Sequence, residues 1–145
     1  MLSTPMTWLP WALLSAAFAA LTAIFAKVGV SNINSDLATL IRTIVILLTL
    51  IGMVSATGQW QVPGSIAGKT WIFLVLSGLG TGASWLCYFR ALKLGDASRV
   101  APIDKLSVVL VALFGVMFLG ERLSAVNWLG VAFIAAGALL VAIKS

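Results

Sequence analysis

Three charged residues, Arg42, Asp104 and Lys105, stand inside otherwise apolar sequence. If those apolar runs cross a bilayer, each charge costs about 2.5–3.5 kcal/mol near the centre. Residues of this kind serve substrate or ion pathways, or form ion pairs that hold helices together. A helix rises about 1.5 Å per residue, so Arg42 lies about 9 Å beyond Asp36, and Asp104 about 9 Å beyond Ser98. The two therefore sit at matching depth, and we expect Asp104 to pair with Arg42. Lys105 follows Asp104 directly, about 100° round a regular helix. It should face away from Asp104, toward a water-filled cavity, or snorkel. Asp104 is the better candidate for proton coupling, because buried carboxylates hold protons more tightly unless paired.

A second polar feature accompanies these charges. Ser77, Thr81, Ser84 and Tyr88 share one helical face by their i, i+4, i+7, i+11 spacing. Trp85 borders that face at nearly the depth of Asp104. Arg42, Asp104, Lys105, Trp85, Tyr88, Ser84 and Thr81 are thus the candidate substrate or ion pathway. The alternative for the stripe is hydrogen bonding between helices. Thr39, Arg42 and Thr49 share a face in the preceding span, and Ser15, Ala19, Thr22 and Ala26 in the first. Gly78 and Gly82 form a GxxxG pair suited to close helix packing.

The chain offers little else that does chemistry. It has no His and a single cysteine, Cys87, which excludes an internal disulfide and argues against a zinc site. Cys87 reads as a small buried apolar residue. There is no nucleophile–His arrangement, carboxylate pair or Walker A loop. Glu121 reads as a hairpin and cap residue. No catalytic residue, cofactor or metal is expected, and no enzyme. The net charge of +5 comes from few charges and forms no basic tract for nucleic acid.

The elements that position these residues follow from composition. Of 145 residues, 61% are hydrophobic and 9% charged. Soluble domains carry about 25% charged residues, and a domain this small could not bury such an excess of apolar surface. A spanning helix needs roughly 20 apolar residues. Five such spans are read at 8–30, 36–56, 70–92, 97–119 and 124–143. The fold class is all-α: a polytopic membrane protein, a bundle of five transmembrane helices in one domain. The first span has no basic n-region or cleavage site and is not read as a signal peptide. Ser35 and Asp36 are natural N-caps for the second span, and Ser124 for the fifth. Gly95 and Asp96 stop one helix and start the next. Pro102 removes a backbone hydrogen bond and can kink the fourth span.

Five spans place the termini on opposite sides. Of nine Lys and Arg, seven (Lys27, Arg42, Arg90, Lys93, Arg99, Lys105 and Lys144) fall toward one side, leaving Lys69 and Arg122 on the other. The positive-inside rule makes the first side cytoplasmic, with the N-terminus outside and the C-terminus inside. Trp8, Trp11, Trp60, Trp71 and Trp128 gather near the outer boundary, where indole rings favour the interface.

The stretch from Tyr88 to Ala142 resembles the second part of an EamA-like domain of the drug/metabolite transporter superfamily. The likeness rests on Tyr88 through Leu92, the Ala97-Ser98 start, Pro102, the hairpin Gly120-Glu121-Arg122-Leu123-Ser124, and Gly130 with Gly137. Lys27 and Arg42 also sit where such domains often carry basic residues. The segment 102–110 departs from the commoner apolar helix and is similar to a single-domain, five-helix subgroup. The resemblance implies a subunit of a secondary transporter, an exporter, for a small metabolite or drug-like solute. It would sit in a bacterial-type plasma membrane. It also implies a partner, a homodimer or a heterodimer with a related five-helix subunit, because most relatives carry two inverted halves. A parallel or an antiparallel pair both remain open, although the charge bias disfavours antiparallel copies. The contrasting function is a non-transporting membrane accessory or scaffold subunit.

Overall fold

The computed structural model describes residues 7–143, and among these it is helical without strands. The helices are α1 (Leu9–Val30), α2 (Ser35–Thr57), α3 (Gly68–Leu94), α4 (Ala97–Asp104), α5 (Ser107–Leu119) and α6 (Ala125–Ala142), with one 3-10 turn at Pro63–Ser65. Five stretches are long and apolar enough to cross a membrane, α4 and α5 together forming the fourth, Ala97–Leu119. The boundaries fall within two residues of those read from sequence. Large apolar side chains stand exposed along every one of them, including Phe18, Leu48, Phe73, Phe118 and Phe133. That is what helices in lipid show, where the solvent itself is apolar. Cys87 is exposed rather than buried, because α3 turns much of its surface outward. Lys144, counted above toward orientation, lies outside the described residues.

The chain divides into two compact units. One holds the residues up to Val28 and those from Leu94 onward; the other holds Gly29–Lys93. In the first, α6 packs along both α4 and α5. Small side chains carry its buried positions, among them Ala23, Ala26 and Ala138. Lys27 Nζ donates to the Gly95 carbonyl at 2.8 Å, and the Arg99 guanidinium donates to the Ala142 carbonyl. Both lysine and arginine thereby serve carbonyls that a helix end or turn leaves without a partner.

The fourth span is broken rather than simply kinked. Pro102 has no N–H for the carbonyl of Ser98, four residues back. Three residues on, α4 ends at Lys105, whose N–H reaches both Ala101 and Pro102 carbonyls at 3.3 and 3.1 Å. Tight i to i−3 bonds follow, Leu106 to Ile103, Val108 to Lys105 and Val109 to Leu106, each at 3.0 Å. These bonds keep the N–H groups of Lys105, Leu106, Val108 and Val109 satisfied across the break, where hydrocarbon surroundings penalise an unpaired backbone group. α5 stops at Gly120, which adopts φ 69°, and Glu121 N–H donates to the Gly115 carbonyl at 3.1 Å. The Glu121 carboxylate folds back over Gly115, so that a Cβ there would lie 2.5 Å from Oε2. Ser124 caps α6 as expected, its Oγ accepting from Asn127 N–H.

In the second unit, α2 is capped by Asn34, not by Ser35 or Asp36. Asn34 Oδ1 accepts from the backbone N–H of Asp36 at 2.8 Å and of Leu37 at 3.3 Å. Asp36 is thereby released to pair with Arg90 in a fork: Nε to Oδ1 at 3.0 Å, Nη2 to Oδ2 at 2.8 Å. Lys93 donates to the Ile33 carbonyl. These bonds tie the start of α2 to the end of α3. Asp96 holds the N-cap position of α4 without a side-chain capping bond. Among the described residues nothing lies within 4 Å of where a Cβ would stand at Gly78 or Gly82.

Candidate functional site

The most specific arrangement lies on the facing turns of α2 and α3 within the second unit. Helical rise from the Asp36–Arg90 pair brings Arg42 about 9 Å up α2, and Trp85 about 7.5 Å back along α3. There the Arg42 guanidinium carbon lies 3.9 Å from the centroid of the Trp85 ring and 5.5 Å from that of Phe89. Trp85 and Phe89 are four residues apart, so they share a face of α3. Phe89 is buried and fixes its side of the platform. Tyr88 is within electrostatic range of Arg42. Arg42, Trp85 and Tyr88, all predicted as pathway residues, are thus brought together, and Phe89 joins them.

Magnitudes decide what this stacking can do. A guanidinium in a span costs about 2.5–3.5 kcal/mol. A cation–π contact returns about 0.5–1 kcal/mol when exposed and about 2 when desolvated. The aromatic platform therefore leaves a deficit of roughly 0.5–3 kcal/mol on these scales. The only carboxylate in Gly29–Lys93 is Asp36, and both its oxygens face Arg90. No described residue accepts a hydrogen bond from Arg42. Its N–H donors thus have no hydrogen-bond acceptor among the described residues.

The other two predicted charges lie in the first unit. Lys105 Nζ sits 3.4 Å from Asp104 Oδ2, with the two side chains 56% and 37% exposed. This corrects the expectation that adjacent residues must point apart. Lys105 is the residue at which α4 ends, and its long stem curls back where regular helical spacing no longer applies. A contact this long and this exposed is weak.

One hydroxyl of the stripe is satisfied within its own helix. Thr81 Oγ1 donates to the Ser77 carbonyl of its own helix at 2.9 Å. Thr39, Thr43 and Thr49 do the same in α2 toward Ser35, Thr39 and Val45. In an apolar surrounding a hydroxyl is best satisfied by the carbonyl one turn back. Thr81 and Ser84 are exposed, and the described contacts of Arg42 do not include them. Phe89 was not among the expected pathway residues, because it lies in the sector beside the hydroxyl stripe rather than on it. The available signal was its i, i+4 spacing from Trp85 opposite an arginine of like depth.

Comparison with known proteins gives a consistent frame. Residues 6–143 match the EamA-like transporter family. An uncharacterized transporter in the cobO 3' region of a Sinorhizobium species is 74% identical over 137 residues, 94% of this chain and 97% of that one. A probable 4-amino-4-deoxy-L-arabinose-phosphoundecaprenol flippase subunit ArnE of Hamiltonella defensa is 30% identical over 104 residues, 70% of this chain and 92% of that one. A riboflavin transporter of Vibrio cholerae is 30% identical over 98 residues, 67% of this chain but 32% of that protein. No solved structure matches.

Proposed function

The chain belongs to the EamA-like transporter family, and we propose that it is one five-helix subunit of a secondary transporter for a small metabolite or drug-like solute. It is a multi-pass membrane protein of the EamA type. The finer reading adds a second five-helix chain, either a copy or a related subunit, and export across a bacterial inner membrane. The observation that carries it is Arg42, a cation kept inside a span at a cost and mounted on Trp85. The partner is supported by length: this chain covers 92% of a relative that is itself named a subunit. Asp104 is proposed as the proton-linked group beside the α4–α5 break. The two named cargoes among the relatives, riboflavin and a lipid-linked sugar phosphate, differ in chemistry. The substrate class must therefore come from this chain's own residues.

The test is flux in liposomes, with the protein reconstituted alone and with a second five-helix chain of the same family, against a metabolite panel. The expected result is substrate-dependent flux that falls about tenfold or more, some 1.4 kcal/mol, in Arg42→Ala and Asp104→Ala proteins of unchanged helix content. Absence of flux for every solute in both preparations would favour the accessory-subunit reading. The pairing of Asp36 with Arg90 and of Asp104 with Lys105 is the observation that keeps that second reading in view.

A further inference from the structure

We propose that Arg42 is an oxyanion-binding residue, and that the solute handled here carries a carboxylate or phosphate group. The transport reading supplies the word "solute"; the binding site stands on its own geometry. The Arg42 guanidinium carbon lies over the Trp85 ring, 3.9 Å from its centroid, and 5.5 Å from that of Phe89. Stacking of this kind uses the face of the plane and leaves the N–H groups along its edge. Those donors form a rigid fork that matches two oxygens of a carboxylate or phosphate. Asp36 is already engaged through both oxygens by Arg90, and the Asp104 carboxylate lies with Lys105. The indole and phenyl rings also limit the positions open to the guanidinium, which lowers the ordering cost when an anion arrives. The same rings offer an apolar flank to the body of the ligand, with Tyr88 close by. The chemistry is that of a small organic oxyanion with a flat or apolar body.

The oxyanion has two sources, a free solute or a lipid headgroup, and the experiment separates them. The full chain, purified in a neutral maltoside detergent, is dialysed to equilibrium against labelled benzoate. Unlabelled benzoate, inorganic phosphate, benzamide and phosphatidylglycerol micelles serve as competitors. The expected result is saturable benzoate binding, displaced by phosphate and not by benzamide. Arg42→Gln should weaken it at least tenfold, Arg42→Lys should retain part of it, and Trp85→Phe should retain more than Trp85→Leu. Circular dichroism and gel filtration of each variant show whether it is folded, and Arg42→Lys keeps the test decisive if Arg42→Gln is not. Wild-type affinity in Arg42→Gln, or equal displacement by benzamide, overturns the proposal. So does Arg42-dependent binding of phosphatidylglycerol without any of benzoate or phosphate. Arg42-dependent benzoate binding in a protein that shows no flux leaves the site standing and removes the transport reading. Flux that proceeds with Arg42-independent binding does the reverse.

Discussion

Replacing Arg42 by an apolar residue of similar length separates a structural arginine from a functional one. The span loses a charge worth about 2.5–3.5 kcal/mol of insertion cost and a cation–π contact worth about 0.5–2. Arg42→Leu should therefore stabilise the protein by roughly 0.5–3 kcal/mol, read by unfolding in mixed detergent micelles, while lowering benzoate binding and flux. A net destabilisation would make Arg42 a packing element. A second prediction concerns Asn34, whose Oδ1 serves two backbone N–H groups. Asn34→Ala should cost about 1 kcal/mol in the same assay, whereas Ser35→Ala removes no cap. The sequence Ser31 to Asp36 holds five residues of capping type, so composition alone could not say which one ends the turn. Arg42 itself was legible, because a charge in an apolar run is conspicuous. Its aromatic seat was legible only in part, since Trp85 was flagged by depth and Phe89 was not.

Among the elements, the spans were the easiest to read, because bilayer thickness fixes their length. The break between α4 and α5 was not. Pro102 was visible, but a proline can sit in a gently kinked helix, and nothing in Lys105-Leu106 announces a helix end. The consequence is testable at Pro102. A proline in a helix interior is about 3 kcal/mol less favourable than alanine. Pro102→Ala should raise stability by up to about that amount and bring α4 and α5 closer to one continuous helix, seen as greater protection of the Leu106 to Val109 amides from hydrogen exchange. Unchanged protection would assign the break to the residues after Lys105. The turn that ends α5 makes a sharper demand. Gly120 has φ 69°, in the left-handed region where a side chain costs about 1–2 kcal/mol. Gly120→Ala should destabilise by that amount, and more than Gly130→Ala, where α6 is regular and nothing lies within 4 Å of the added methyl.

For the molecule as a whole, the proposed orientation and the proposed partner constrain each other. Seven of nine basic residues fall toward one side of the alternating spans. A chain that inserts in both orientations needs that bias near zero, because Lys and Arg near helix ends set topology. An inverted pair made of two identical chains is therefore disfavoured, and a related subunit of opposite orientation fits the charges better. Several of those basic residues also have structural duties: Arg90 grips Asp36, Lys93 holds Ile33 and Lys27 holds Gly95. Their number thus overstates a pure topology signal, and fusions must decide. A fluorescent protein at the C-terminus should glow and a periplasm-dependent phosphatase there should stay inactive, with the converse pattern for fusions in the 58–67 loop being phosphatase activity. Equal activity of both reporters at one site would mean two orientations and restore the antiparallel homodimer. The reverse pattern throughout would place the Arg90–Asp36 edge outside, so that a solute meeting Arg42 from that edge would arrive from outside the cell.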